Sequence, residues 1–326
     1  MAVYFVCARA TATLLEWPVL ISAMREAYSV PHQSHTSFRA VARGEGVWLR
    51  SLVSVPPSAG YMGVKSFGRT ADRKVSYLVS LFCKTSSELV ALVDGKHLTS
   101  MRTAATSAVA VDAILPQTPV SVGLLGSGNE AKAHAQAIAA VRPFTNLDVF
   151  SPTPAKREKL AVELAVELNI PVRAVDSAEL AVRNKSLVIA AARSYDEKPI
   201  LLGGWLKQGA MLVSIGSTIP EQREIDIVSI ERSDLIVCDM VDEVLDQTGD
   251  FLAARAAGIE CKARVATLNA LVMGELSGRL KSAKNVMYKS VGAAVQDVTA
   301  AALALKLAQQ SGQAITIAAD LEIQNV

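Results

Sequence analysis

The stretch Val120-Ser121-Val122-Gly123-Leu124-Leu125-Gly126-Ser127-Gly128-Asn129-Glu130-Ala131-Lys132-Ala133-His134-Ala135-Gln136-Ala137-Ile138-Ala139 decides how this chain is read. A β-branched and aliphatic run ends in two closely spaced glycines, and an Ala-rich amphipathic segment follows at once. That order predicts a strand, a tight turn and a helix, the arrangement that sets a dinucleotide pyrophosphate on a helix N-terminus. Gly126 suits the tight turn, Gly128 lets backbone approach phosphate, and small Ala131 lets helix and strand pack closely. The turn by itself fits an ordinary strand-to-helix connection equally well. Its flanks and the repeating pattern that follows favour a nicotinamide dinucleotide cradled by Gly126, Ser127, Gly128, Asn129, Glu130 and Ala131. His134, in the helix, is expected to face solvent or a phosphate.

Downstream, strand-like and helix-like pieces alternate. Strands are expected at 120–125, 147–150, 172–175, 187–191, 210–215 and 235–238, with helices at 131–141 and 154–168 among them. Buried runs separated by amphipathic helices imply a parallel sheet covered on both faces, a Rossmann-type doubly wound α/β fold. The first 118 residues read differently: a helix at 14–28, strands at 47–55, 60–66, 75–82 and 89–93 in a mostly antiparallel sheet, and a helix at 103–115. After Lys289, the spacing of Val291, Val295, Val298 and Leu305 predicts a last helix stopped at Ser311-Gly312. Too long for a tail, it is expected to pack on the first domain. The expected organisation is a discontinuous α+β domain of residues 1–118 plus 290–326 and a nucleotide domain of residues 119–289.

Composition sets the outer bounds. With 326 residues, 51% of them apolar and 20% charged, the chain can bury two cores of ordinary size. A net charge of +2 gives no footing for nucleic acid or an anionic membrane surface. Cys7, Cys83, Cys238 and Cys261 are scattered without a C-x-x-C pair, which suits reduced thiols. His32, His35, His97 and His134 show no metal-ligand spacing, so no metal is expected. Arg9, Glu16 and Arg25 interrupt the apolar N-terminus, and no uncharged run is long enough to span a bilayer. A cytoplasmic location follows by default.

Two segments place cations where a carboxylate could bind. Gly60-Tyr61-Met62-Gly63-Val64-Lys65 reads as an accessible strand ending on a lysine. In Asp94-Gly95-Lys96-His97-Leu98-Thr99-Ser100-Met101-Arg102, Thr99 can cap the helix, which would put Arg102 in its first turn. A cation there opposes the macrodipole, so Arg102 either offsets an anion or forms a surface salt bridge. For the cofactor, the position after the second strand would carry an acid to bind the ribose of NAD. Here Ser151-Pro152-Thr153 follows the strand, Lys156 and Arg157 come shortly after, and Asp148 lies inside the strand. Hydroxyls and cations suit a 2′-phosphate, favouring NADP(H) over NAD(H), although Lys156 and Arg157 also fit a solvated helix face.

Taken together, G-V-K at 63–65, L-V-D-G at 92–95, L-T-S-M-R-T-A-A at 98–105, G-L-L-G-S-G-N-E-A at 123–131, I-P-E-Q-R-E-I-D at 219–226 and K-S-V-G-A-A-V-Q-D at 289–297 closely resemble the ornithine cyclodeaminase/mu-crystallin family. The resemblance implies a Rossmann domain with a discontinuous substrate and dimerisation domain, assembled as a homodimer. It implies that Lys65, Arg102 and Thr103 meet the substrate, with Lys65 and Arg102 on its carboxylate and Lys65 available for proton transfer. Ser290 and Asp297 either line the nicotinamide side or start the last helix. One position departs from the pattern. Ornithine cyclodeaminases carry an acid/base aspartate two residues before the proline of Ser217-Thr218-Ile219-Pro220, and here Thr218 stands in its place. A threonine hydroxyl has no pKa in the working range of a general base. Thr218 and Ser217 can instead hold a water or the nicotinamide amide, or simply end a strand. The resemblance therefore points to an NAD(P)H-dependent reductase of small cyclic α-imino acids such as Δ1-pyrroline-2-carboxylate. A cyclodeaminase-type lyase, an alanine dehydrogenase, an opine-type synthase or a non-catalytic NADPH-binding protein are the alternatives.

Overall fold

The computed structural model describes residues 2–32, 36–72, 74–194, 197–318, 321 and 323, so His35 lies outside the described residues. The chain divides into two compact units, one of Met1–Thr106 with Ala293–Val326 and one of Ser107–Gly292.

The first unit contains β1 (Ala2–Val6), α1 (Ala8–Leu14), α2 (Trp17–Tyr28), β2 (Ser37–Gly44), β3 (Val47–Ser54), β4 (Tyr61–Arg69), β5 (Val75–Cys83), β6 (Leu89–Asp94) and the start of α3 (Lys96–Ile114). After the second unit the chain returns to it with α12 (Ala294–Gln310) and β15 (Ile315–Ala318). Its seven strands are ordered β15-β1-β6-β5-β4-β3-β2, parallel only between β1 and β6. The single helix expected over 14–28 is two helices, because Pro18 lies at the start of α2. Proline lacks an N–H and is tolerated only in a first turn, so the chain restarts there.

Register fixes which side chains share a face. Arg39 on β2 lies opposite Leu52 on β3, Leu52 opposite Lys65 on β4, Lys65 opposite Val79 on β5, and Val79 opposite Val93 on β6. With a side-chain period of two, this row points to one side of the sheet. Its Leu52, Lys65, Val79 and Val93 are buried. The opposite side carries Phe38, Leu49, Val53 and Leu78, which are 69%, 55%, 39% and 39% exposed.

The second unit is a parallel eight-stranded sheet flanked by short helices. It contains β7 (Val120–Leu125), α4 (Asn129–Ala139), β8 (Phe144–Phe150), α5 (Pro154–Leu168), β9 (Val172–Ala174), α6 (Ala178–Val182), β10 (Leu187–Ala190), β11 (Met211–Ser214), α7 (Ile227–Glu231) and β12 (Leu235–Cys238). It continues with α8 (Val241–Gln247), α9 (Gly249–Ala256), β13 (Val265–Thr267), α10 (Leu268–Val272), α11 (Ser277–Ser282) and β14 (Val286–Lys289). The order is β13-β12-β14-β11-β10-β7-β8-β9. From β7 the chain runs outward through β8 and β9, then crosses back to lay β10 on the other side of β7. That reversal is the topological switch point of a doubly wound sheet, and the Gly126 turn sits at its carboxyl end. The sequence did not announce β14, which slots between β11 and β12 and is buried throughout. Among the described residues, no helix is long and apolar enough to cross a membrane.

Candidate functional site

In the first unit three charged side chains from three elements converge. Asp297, in the first turn of α12, accepts on Oδ1 from Lys65 Nζ of β4 and from Arg102 Nε of α3, each at 2.8 Å. All three are buried. Arg102 Nη1 also donates to Gln296 Oε1 at 2.5 Å, and Gln296 Nε2 donates to the Tyr28 hydroxyl at 2.9 Å. The second oxygen of Asp297, Oδ2, is buried and makes no hydrogen bond among the described residues.

Burial, and then the neighbouring Arg102 charge, lower the Lys65 pKa to about 7, while Asp297 acts the other way. Arg39 adds to the lowering, which places a third cation in the field of Lys65. Sequence reasoning missed Arg39, although alternation through Phe38-Arg39-Ala40-Val41 puts it on the Lys65 side of the sheet. One carboxylate thus stands between two buried cations, Lys65 and Arg102, so the buried cluster holds more positive than negative charge.

Two sequence expectations need correction here. Thr99 does not cap α3: the helix begins at Lys96, whose N–H donates to Asp94 Oδ1 at 2.9 Å. Arg102 therefore lies in the second turn, and Asp297, rather than an opposed macrodipole, sets its environment. Lys65 is not at a strand end either, since β4 runs on to Arg69. Thr103, beside Arg102, spends its hydroxyl on the Thr99 carbonyl at 2.8 Å.

The second unit supplies the cradle. Gly126 has φ +122°, a conformation that L side chains rarely adopt, and a Cβ there would lie 2.6 Å from the Ala191 carbonyl oxygen. The same Cβ would stand 3.4 Å from the Ala131 methyl group. Gly128 is the N-cap of α4 and provides no side-chain cap, and a Cβ on it would meet nothing within 4 Å. The backbone of Ser127, Gly128 and Asn129 therefore borders open space at a helix N-terminus, with Glu130 in the first turn. An uncapped helix start behind a glycine turn fits a pyrophosphate.

His134 faces neither solvent nor phosphate. It is fully buried, with Nδ1 at 2.7 Å from the Glu130 carbonyl and Nε2 at 3.0 Å from Ser107 Oγ, so it ties α4 to α3. At the adenosine end, Asp148 is buried and paired with Arg173 and Lys185, which removes it as a ribose acceptor. Arg157 is buried rather than a solvated helix position, whereas Lys156 is exposed. Its guanidinium lies over the Phe150 ring at 5.7 Å and donates to the Ser151 carbonyl at 3.1 Å and to Asp176 Oδ1 at 2.5 Å. Ser151 Oγ donates to the Thr153 carbonyl at 3.4 Å, so Ser151, Thr153 and Arg157 form one corner.

Beyond β11 the backbone folds on itself. Ser217 Oγ donates to the Gln222 carbonyl at 2.9 Å, and the Thr218 N–H donates to Gln222 Oε1 at 2.9 Å. The Thr218 hydroxyl is 3.4 Å from the same oxygen. Behind this loop lies a charged group that the sequence analysis left without a role. Glu224 Oε1 accepts from the Ala192 N–H at 3.1 Å, and Oε2 accepts from Ser214 Oγ at 2.6 Å and the Gly216 N–H at 2.9 Å. One carboxylate so fastens the carboxyl ends of β10 and β11. Gly216 must be glycine, because a Cβ would fall 1.9 Å from the Ala192 oxygen. Lys289, at the end of β14, donates to Ser214 Oγ at 3.0 Å and to Asp250 Oδ2 at 3.3 Å. The only sequence signal was their place inside I-P-E-Q-R-E-I-D and K-S-V-G. Ser290 spends its hydroxyl on Asp239 at 2.7 Å, and Asp239 also takes the Val291 and Gly292 N–H groups. Among the described residues, no group of three or more His, Cys, Asp or Glu is arranged to hold a metal ion.

The sequence profile of the ornithine cyclodeaminase/mu-crystallin family matches residues 58–311, well over half of the chain. The chain belongs to that family. Δ1-Pyrroline-2-carboxylate reductase of Bacillus cereus is 26% identical over 274 residues, 84% of this chain and 81% of the relative. Iminosuccinate reductase of Paracoccus denitrificans is 26% identical over 263 residues, 79% of this chain and 80% of the relative. The fold matches Δ1-pyrroline-2-carboxylate reductase of Thermococcus litoralis, solved with NADH and L-proline, with a TM-score of 0.87. That match covers 96% of this chain and all of that one at 24% identity, a likeness of fold. Within the family the cluster at Lys65, Arg102 and Asp297 and the turn at Gly126 fall on the stretches the profile spans.

Glu224 yields a pH prediction. Burial raises its pKa from 4.5 to about 7. Between those values the native state holds a proton that the unfolded chain has released, so stability falls as pH rises through the window. Glu224→Gln should flatten that part of the stability profile, measured by urea denaturation from about pH 5 to about pH 8. A profile as steep as the parent's would remove Glu224 as the titrating group.

Proposed function

We propose that this protein is an NAD(P)H-dependent reductase of small α-imino acids, of the cyclic Δ1-pyrroline-2-carboxylate and Δ1-piperideine-2-carboxylate type, giving the L-amino acid. The protein is an oxidoreductase acting on C–N bonds. The observation that carries the reading is the buried excess of cations around Asp297. Lys65 and Arg102 are matched to a carboxylate that must be held still while the adjacent C=N carbon reacts. A nicotinamide coenzyme held by its pyrophosphate at the Gly126 turn would supply the hydride for this chemistry. The C=N π electrons then pass to nitrogen, which takes a proton. Lys65, with its pKa lowered to about 7, can give that proton near neutrality. Asp297 Oδ2 offers an acceptor for the iminium N–H in the same cluster. Thr218 cannot perform the acid/base step of a cyclodeaminase, and with its backbone and hydroxyl turned to Gln222 it serves to shape the loop with Ser217.

For the coenzyme, the corner at Ser151, Thr153 and Arg157 supports NADP(H) over NAD(H), because no carboxylate is left at the strand end to meet a ribose 2′-hydroxyl. Arg157→Ala should weaken NADPH binding by about tenfold or more and NADH binding far less, read by coenzyme fluorescence titration. Equal losses for the two coenzymes would argue for a purely structural Arg157. The four free cysteines suit a reducing cytoplasm. The bare sheet face with Phe38, Leu49, Val53 and Leu78 supports a homodimer. Light scattering should give twice the chain mass for the parent and the chain mass for Leu49→Glu, and a monomeric parent would overturn the pairing.

The deciding assay follows NADPH and NADH oxidation with the two cyclic imino acids and with pyruvate plus ammonium, while ammonia release from ornithine is followed in parallel. Imine-dependent oxidation is expected. Arg102→Ala should lower kcat/KM by about 2–4 kcal/mol, roughly 30- to 1,000-fold, with coenzyme affinity retained. A fully active Arg102→Ala, or ammonia from ornithine without net coenzyme oxidation, would defeat the reading.

A further inference from the structure

The guanidinium of Arg102 is held by two acceptors of different charge. Its Nε donates to the Asp297 carboxylate at 2.8 Å, and its Nη1 donates to the neutral Gln296 amide at 2.5 Å. Two bonds at two nitrogens fix the plane of a rigid fork, so the remaining N–H groups are presented in one direction. The amide is held in turn. Gln296 Nε2 donates to the Tyr28 hydroxyl at 2.9 Å, and the Tyr28 ring lies 5.2 Å from that of His32. Gln296 is fully buried in α12, and Tyr28, the last residue of α2, is 1% exposed. With its oxygen and nitrogen exchanged, the amide would set N–H against the N–H of Arg102, two donors in contact.

Local physics asks for a different residue at this position. Gln296 is the third residue of α12, where a carboxylate would meet the positive end of the macrodipole. A carboxylate there would also bond Arg102 more strongly than an amide does. Glutamate has the length and shape of glutamine and would supply both gains. It would also cancel the positive excess that Lys65, Arg102 and Asp297 leave between them. A buried charge without a counterion is costly, so the neutral amide makes physical sense where a ligand brings the missing negative charge.

We propose that Gln296 is a positioning residue for substrate binding: it aims the Arg102 fork at the imino-acid carboxylate while leaving the positive charge of the cluster uncancelled, and Tyr28 steadies its amide. The inference rests on the imine-reductase reading and adds to it two residues that act through Arg102. No step of the reaction passes through either of them.

The test measures kcat and KM for Δ1-pyrroline-2-carboxylate, together with the Tm, for the full-length protein with its better coenzyme and for three variants. Gln296→Glu keeps the shape and adds the charge. It should raise KM by about tenfold or more, with kcat within about threefold of the parent. Its Tm should equal or exceed that of the parent, because the added charge meets Arg102 and the helix start. Affinity lost while stability is kept is a split that a merely structural glutamine does not produce. Gln296→Met removes the acceptor without adding charge and should raise KM less than Gln296→Glu while lowering the Tm. Tyr28→Phe should raise KM by about two- to fivefold with kcat retained. An unchanged KM in Gln296→Glu, or a fall in its Tm alongside equal losses in kcat and affinity, overturns the inference and leaves the reductase reading standing. A parent that oxidises neither coenzyme with this imine or with the other imino acids tested above overturns the reading beneath it and the inference together.

Discussion

The Asp297 carboxylate, buried between Lys65 and Arg102, is the interaction on which the first unit depends. Removing a charge from water costs several kcal/mol per ion, and attraction repays this only with good geometry. Here one oxygen takes two hydrogen bonds of 2.8 Å from cations on β4 and α3. The sheet, the helix that leaves it and the helix that returns to it are thereby joined through one atom. The repayment is incomplete, because positive charge exceeds negative. A structure that buries more cation than anion is poised for a ligand that closes the difference, and an imino acid carries its carboxylate next to the carbon to be reduced.

The second unit shows a closed balance. Around Lys289 stand two carboxylates, Glu224 and Asp250, all of them buried, and Arg223 lies 3.6 Å from Asp250, so two cations face two carboxylates. Burial raises the Glu224 pKa to about 7. The acceptors of Glu224 are fully used on Ser214 and on the backbone beyond β10 and β11. Charge here serves position: it keeps strand ends at fixed spacing where a doubly wound sheet presents its crevice. Unbalanced charge marks the candidate site, and balanced, fully bonded charge marks its support.

What could be read in advance follows from the range of the forces concerned. The Gly126 turn, the alternation of buried strand and helix, and the long α12 are local patterns, and the sequence carries them in full. The break between α1 and α2 was also local, written in Pro18, but the apolar spacing across it concealed it. Strand β14 had no such signature. Four residues, Val286 to Lys289, become a central strand only because β11 and β12 leave a place between them. His134 was misread for a related reason, since a polar residue among alanines reads as exposed until Ser107 on a neighbouring helix provides its partner.

The sequence by itself determined the two fold classes, the nucleotide turn, the pairing of Lys65 with Arg102 as cations of interest, and membership of a family. These rest on motifs and periodicities spanning a few turns of chain. Only the tertiary structure decided that Asp297, more than two hundred residues from Lys65, is the group between them. It also decided that Arg39 shares their face of the sheet and that Glu224 fastens two strand ends. The reason is physical: contacts between distant segments depend on strand register, and a shift of one residue would turn Arg39 and Lys65 to the other side of the sheet.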